Sequence, residues 1–170
     1  MNEKNECSWN PYSCQSLLGY GLAAHERSGC VCKYCDLGKN RQDFDTWRQF
    51  SVDHVVPTSC IGTKDWTSKF PNLSKGARKD LFLRINKINL VTACNFCNSM
   101  TSRMRIGNRE AILPDREHPD AVDMNHPAVQ EMLKKLEAEV ADLKPKKQKY
   151  VQDRLRILKQ VYIKEVKRKN

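Results

Sequence analysis

No stretch of this sequence approaches the roughly 20 consecutive apolar residues that a membrane-spanning helix requires. Mean hydropathy is −0.70 and 39% of residues are hydrophobic, so a soluble chain is expected and a membrane partner is not. Also missing is any basic stretch leading into an apolar one around Met1-Asn2-Glu3-Lys4-Asn5-Glu6. No secretory signal is expected there, and the expected compartment is the cytoplasm. That absence bears on the eight cysteines, which are expected as reduced thiols and metal ligands rather than disulfides. At 170 residues the chain has room for one core and an appendage, but not for two full domains.

What the chain has in excess is positive charge, +10 overall. From Lys144 to the end there are eleven Lys and Arg against Asp153 and Glu165, which leaves the preceding residues close to neutral. A second excess lies between Lys64 and Lys87, where seven basic residues face Asp65 and Asp80. Both patches suit a polyanionic partner. For the tail alone, the plainer alternative is a solvated helix face.

The cysteines are not scattered. Cys32-Lys33-Tyr34-Cys35 and Cys94-Asn95-Phe96-Cys97 share the spacing that lets two thiolates of one tight turn reach a single tetrahedral ion. Together they predict a structural zinc held by four cysteines. Cys30, two residues before Cys32, is a rival ligand that the spacing disfavours. Cys7, Cys14, Cys30 and Cys60 stay unassigned, since no pair among them has such a spacing.

Between and beyond the pairs, periodicity supplies the elements. Leu17, Leu18, Leu22 and Ala23 predict a helix from Cys14 to Arg27, and His25 on it is expected to be a core or surface histidine and not a ligand. The β-branched and aromatic residues around Gln49–Val55 and Asn89–Ala93 predict two strands. A basic helix is expected near Arg78–Ile85 inside a long segment, Thr58–Lys87, that packs beside the site. A helix is expected over Asn98–Arg105. Residues 114–126 read as an acidic, proline-punctuated linker. Pro127 suits a first helical position with Asn125 or His126 as its cap, and no function is assigned to His118 or His126. Val129, Met132, Leu133, Leu136, Val140 and Leu143 step by threes and fours. Lys144-Pro145 is expected to break the run before Val151, Leu155, Leu158 and Tyr162 resume it, giving a basic C-terminal helical hairpin. Its stripes could close on each other, on the core or on a second copy in a homodimer. The expected organisation is thus 1–113, a linker over 114–126, and the hairpin over 127–170.

The stretch Ser51-Val52-Asp53-His54-Val55-Val56-Pro57 falls between the two cysteine pairs, with Asn89 before the second and Asn98 directly after it. This ordered set resembles the HNH (ββα-metal) nuclease family, in the subgroup where four cysteines hold a structural zinc. Glu26-Arg27-Ser28-Gly29 also looks like the helix end that often precedes the first pair. The chain departs from the commoner pattern in having Ile61-Gly62 where a Gly-Gly turn is frequent, and in delaying the first basic residue after Asn98 to Arg103.

The resemblance implies an α+β fold with a ββα core and a metal-dependent DNA endonuclease of the His-Asn-Asn type. Asp53 and Asn98 would hold a catalytic Mg²⁺ or Mn²⁺, His54 would act as general base on water, and Asn89 would fix the His54 loop. Chemistry agrees with the assignment: adjacent strand residues face opposite sides, so Asp53 and His54 can address metal and water separately. A histidine with an ordinary pKa near ~6.5 also suits a base. Double-stranded DNA is the expected partner, contacted through Lys75, Arg78, Lys79, Arg103, Arg105, Lys146, Lys147 and Lys149. The alternative is a non-catalytic zinc-knuckle protein that binds nucleic acid. A third reading, weaker than either, is a protein-interaction factor built on the C-terminal stripes.

Overall fold

Phe50-Ser51-Val52-Asp53-His54 alternates in character, as a strand between two different surfaces must. In the computed structural model, which describes residues 16–61, 66–106 and 112–167, this stretch is β1 (Phe50–His54), and it pairs antiparallel with β2 (Leu90–Cys94). The register runs from Phe50 opposite Cys94 to His54 opposite Leu90. Both faces of the pair are covered. Ala24 of α1 (Leu22–Arg27) packs with Val52 and Leu90 on one side, and α6 (Asn95–Thr101), which begins where β2 ends, lies against both strands on the other.

Between the strands run α3 (Thr58–Ile61), α4 (Trp66–Lys69) and α5 (Lys75–Asn89), with α2 (Phe44–Trp47) just before β1. α5 is longer than the helix expected around Arg78–Ile85. The Ser74 hydroxyl accepts the Ala77 N–H at 3.2 Å and sets its start. Ala77, Leu81, Ile85 and Asn89, four residues apart, form one buried stripe along it. The stripe meets α7 (Pro127–Val161) in the main core, with Met132, Leu136 and Val140 among its partners. Residues 114–126 are stitched onto this layer: His118 N–H donates to the Lys69 carbonyl at 2.8 Å, and Ser74 N–H to that of Val122 at 3.1 Å.

The C-terminal hairpin is not formed. α7 continues through Pro145 as one helix and passes into a wider π turn over Tyr162–Lys167. An internal proline forfeits one helical hydrogen bond and costs about 3 kcal/mol. Burial offsets that cost, because Leu143, Lys147 and Val151, on one face across the proline, are all essentially inaccessible. Val151 packs with Cys32, Tyr34, Phe50, Ala93, Cys94 and Cys97, so the second half of the helix is held by the cysteine-bearing turns and cannot fold back. Beyond it the expected stripe runs out into solvent: Leu158 and Tyr162 are exposed. Among the described residues no helix is long and apolar enough to cross a membrane.

Candidate functional site

Two tight turns bring Cys32, Cys35, Cys94 and Cys97 together, with their sulfur atoms all within 4.8 Å of one another. Four thiolates about 2.3 Å from one tetrahedral zinc would be about 3.8 Å apart. Cys35 Sγ and Cys94 Sγ are 3.8 Å apart, far beyond a disulfide's ~2.05 Å. The backbone prepares the sulfurs as acceptors: Cys94 N–H points to Cys32 Sγ at 3.3 Å and Cys97 N–H to Cys94 Sγ at 3.4 Å. Hydrogen bonds from the Cys35, Cys94 and Cys97 thiols favour the Cys32 thiolate and pull its pKa far down.

The first turn is locked by Gly38, at φ +93°, where a Cβ would meet the Cys30 carbonyl oxygen at 2.3 Å. It docks on β2 through Lys33 N–H to the Thr92 carbonyl, 2.9 Å. The cluster can hold a structural metal such as zinc. Cys30 and Cys60 are free thiols outside it. Cys7 and Cys14, with the start of the expected N-terminal helix, lie outside the described residues.

Asp53 and His54 occupy the end of β1 on opposite faces. Asp53 is 5% exposed, and its carboxylate is heavily engaged. Oδ2 accepts from the buried Tyr34 hydroxyl and, at 2.7 Å, from Lys147 Nζ. The Thr101 hydroxyl is 3.2 Å from Oδ1 and 3.0 Å from the Asn98 carbonyl, and donates to one at a time. Burial and the neighbouring Asp53 charge raise the Tyr34 pKa well above its ordinary value, so Tyr34 stays a donor.

His54 is half-buried, and its ring lies 6.1 Å from that of Tyr20. Burial lowers its pKa; the Asp53 carboxylate opposes the shift and Lys147 adds to it. The neutral imidazole is therefore the resting form near neutrality. Asn98 Nδ2 donates to Ser51 Oγ at 3.1 Å and the Val52 carbonyl at 3.2 Å, which turns its amide oxygen away from those partners. Asp53, His54, Asn98, Thr101 and Lys147 share the wall of a cleft of about 470 Å³. Asn89 is fully buried: its Oδ1 accepts from Val56 N–H at 2.7 Å and its Nδ2 donates to the Val56 carbonyl at 2.9 Å. Its side chain thus extends the β1–β2 ladder by one rung and pins the loop after His54.

The expected nucleic-acid contacts divide. Lys75, Lys79, Arg103, Arg105, Lys146 and Lys149 are exposed. Arg78 is not free, since its guanidinium donates to the Leu73 and Pro71 carbonyls at 2.8 and 2.6 Å. Lys147 is the clear correction. It is 2% exposed and bonded to Asp53 and to the His54 carbonyl, the latter at 2.9 Å, because its helix turn is buried and it faces the one carboxylate there. Its four-residue spacing from Leu143 and Val151 was the available signal, hidden by the basic composition around it. Tyr34 and Thr101, the other partners of Asp53, carried no signal in the sequence at all.

The remaining histidines are structural. His25 is buried between Ser16, whose carbonyl is 2.8 Å from Nε2, and Thr92, whose hydroxyl is 2.9 Å from Nδ1. Nε2 is therefore the donor and Nδ1 the acceptor. Burial lowers its pKa, with the Ser16 contact opposing. The folded value thus lies below the unfolded one, so this group's contribution to stability is complete above about pH 6.5 and declines as the pH falls below it. Chemical denaturation from pH 8 to 5 should show that loss, and His25→Gln, lacking a titrating ring, should make it shallower, leaving the part that His54 contributes. An equal slope in both proteins would count against the assignment.

His118, Asp120 and His126 also gather within ligand distance of one another. Yet His126 Nδ1 accepts the Ala128 N–H at 3.2 Å as the cap of α7, which places its proton on Nε2, 3.0 Å from Asp120 Oδ2. A metal at Nε2 would require the opposite tautomer and the loss of that cap, so this cluster is read as a helix start.

In comparisons with known proteins, no family model, no curated protein and no solved structure matches the chain.

Proposed function

We propose that this protein is a metal-dependent nuclease that hydrolyses phosphodiester bonds in DNA, built on a ββα unit of the HNH kind and braced by a zinc on its four clustered cysteines. The observation that carries this reading is the end of β1. A carboxylate and a half-buried imidazole occupy adjacent positions there, on opposite faces of one strand, and reach one cleft with the Asn98 amide.

In this reading His54 takes the proton from the attacking water, and Asn89 keeps its loop from shifting. The less committed oxygen of Asp53, Oδ1, and the amide oxygen of Asn98 form a hard-oxygen donor set that fits Mg²⁺ or Mn²⁺. When bound, such a cation stabilises charge on the phosphate and the leaving oxygen. α5 offers an approach for the substrate: Lys75, Lys79, Phe82 and Asn86 fall on one face of the helix, and Phe82 and Asn86 line a second cavity with His54 and Tyr20.

A second reading has its own observation. Asp53 is already paired with Lys147, as suits a non-catalytic protein that binds nucleic acid through its basic surfaces. Incubating purified protein with supercoiled plasmid, with and without Mg²⁺ or Mn²⁺, separates the two: nicked or linear products that need the metal support the nuclease, and intact plasmid supports the binder.

Both readings assign affinity to the basic C-terminus, but only beyond the buried turn, because a deletion from Lys144 would remove Lys147 and Val151. Residues 156–170 carry six basic residues against Glu165. Deleting them should weaken DNA binding and flatten its salt dependence by about 0.9 in log–log slope for each lost phosphate contact. Cutting should persist at saturating substrate. An unchanged salt slope would remove the tail from the DNA interface.

A further inference from the structure

The expected cation position and the observed lysine compete for one carboxylate. Lys147 is not a surface side chain that has folded inward. Leu143 and Val151, one helical turn to either side on the same face, are completely buried. Withdrawing the ammonium would therefore mean lifting that part of α7 off the core and off the cysteine-bearing turns. Lys147 Nζ bridges Asp53 Oδ2 at 2.7 Å and the His54 carbonyl at 2.9 Å, so it is tied to both residues of the Asp-His pair at once. The charge balance follows directly: Asp53 contributes −1, Lys147 contributes +1, and Asn98, Thr101 and Tyr34 contribute none. A divalent cation approaching Asp53 Oδ1 and Asn98 Oδ1 meets a donor set of the right chemistry whose one carboxylate charge is already matched by Lys147.

We propose that Lys147 is a resident counter-ion of the site, so that a divalent cation is held at Asp53 and Asn98 only together with an anionic phosphodiester. This rests on the nuclease reading and adds an order of events to it: the phosphate supplies the negative charge that Lys147 has cancelled, and cation and substrate bind together. Lys147 is a positioning residue in this scheme. It fixes Asp53 Oδ2 and the strand end, and it keeps the empty site from collecting free metal.

The test is Mn²⁺ binding followed by electron paramagnetic resonance on zinc-replete protein, alone and with the dinucleotide dTpdT as a single-phosphodiester probe. The wild type should retain Mn²⁺ poorly alone and at least about tenfold better with dTpdT. Lys147→Met, which keeps the side-chain length and removes the charge, should bind Mn²⁺ without dTpdT about tenfold more tightly than the wild type. Asp53→Asn should abolish retention in both settings. Leaving Asp53 unpaired could unfold the methionine variant, but the two wild-type titrations decide the matter without it. Wild-type protein that holds Mn²⁺ through Asp53 equally well with and without dTpdT overturns the counter-ion proposal, even if plasmid is cut. No retention in any protein, with plasmid intact, overturns the nuclease reading along with it.

Discussion

On the proposed nuclease reading, replacing His54 by alanine should lower the rate of DNA cleavage by about 10²–10⁴-fold, the usual loss for a general base, and leave DNA affinity nearly unchanged. The environment makes this a clean substitution. The His54 ring has no hydrogen-bond partner among the described residues, while its backbone carbonyl accepts from Lys147 and its pairing with Leu90 belongs to the main chain. Alanine therefore removes the imidazole and leaves the strand end, Asp53 and the Asn89 clamp in place. Burial lowers the His54 pKa, so on the proposed reading the imidazole would act in its neutral form, and raising the pH should not restore the variant. Filter binding or gel shift at fixed salt measures affinity, and plasmid nicking under single-turnover conditions measures the rate. A variant that cuts at the wild-type rate would assign His54 a structural role and move support to the non-catalytic reading.

Only part of the candidate site was legible in the sequence. The four cysteines could be read from spacing alone, because two intervening residues fix each tight turn. Asp53, His54, Asn89 and Asn98 stood out only through the resemblance of the ordered set to the HNH family. Asn89 meets Val56 across 33 residues, with α3, α4 and α5 between them, so its clamp follows from the antiparallel pairing of β1 and β2 and not from local sequence. Lys147 meets Asp53 from 94 residues away, and only the path of α7 brings them together. The spacing of Lys147 from Leu143 and Val151 marks a buried position, but the neighbouring lysines and Pro145 obscure that stripe.

The same limit explains the missing hairpin. A proline at 145 is a sound helix breaker by local propensity, but propensity is a small term beside the burial of Leu143, Lys147 and Val151 on one continuous face. Tertiary packing decided the outcome there. At α5 local signals agreed with packing, and the error was only in length: the Ser74 cap and the stripe from Ala77 to Asn89 were both readable, and the helix runs straight into β2.

Substituting Cys94 by serine should unfold the protein under conditions where the wild type is stable. Structural zinc on four cysteines contributes an apparent ~10–16 kcal/mol of binding free energy that is coupled to folding, comparable with the whole stability of a typical domain, ~5–15 kcal/mol. Cys94 concentrates that dependence more than the other three ligands. It ends β2 opposite Phe50, it caps α6 by accepting the Cys97 N–H, and its own N–H binds Cys32 Sγ. The adjoining apolar cluster of Cys32, Tyr34, Phe50, Ala93, Cys97 and Val151 is small and built around the sulfurs. Losing the metal therefore removes the anchor for α6, for the turn carrying Tyr34 and for the Lys147 region of α7 together, and the support of Asp53 with it. Elemental analysis of the wild type should find one zinc per chain, and a strong chelator should reproduce the serine phenotype in thermal denaturation. Cys30→Ser is the control: Cys30 lies outside the cluster, so that variant should keep its zinc and its melting temperature within a few degrees. Folded, soluble wild-type protein that contains no zinc would refute the assignment, and a Cys30→Ser variant that loses the metal would move the fourth ligand to the rival position.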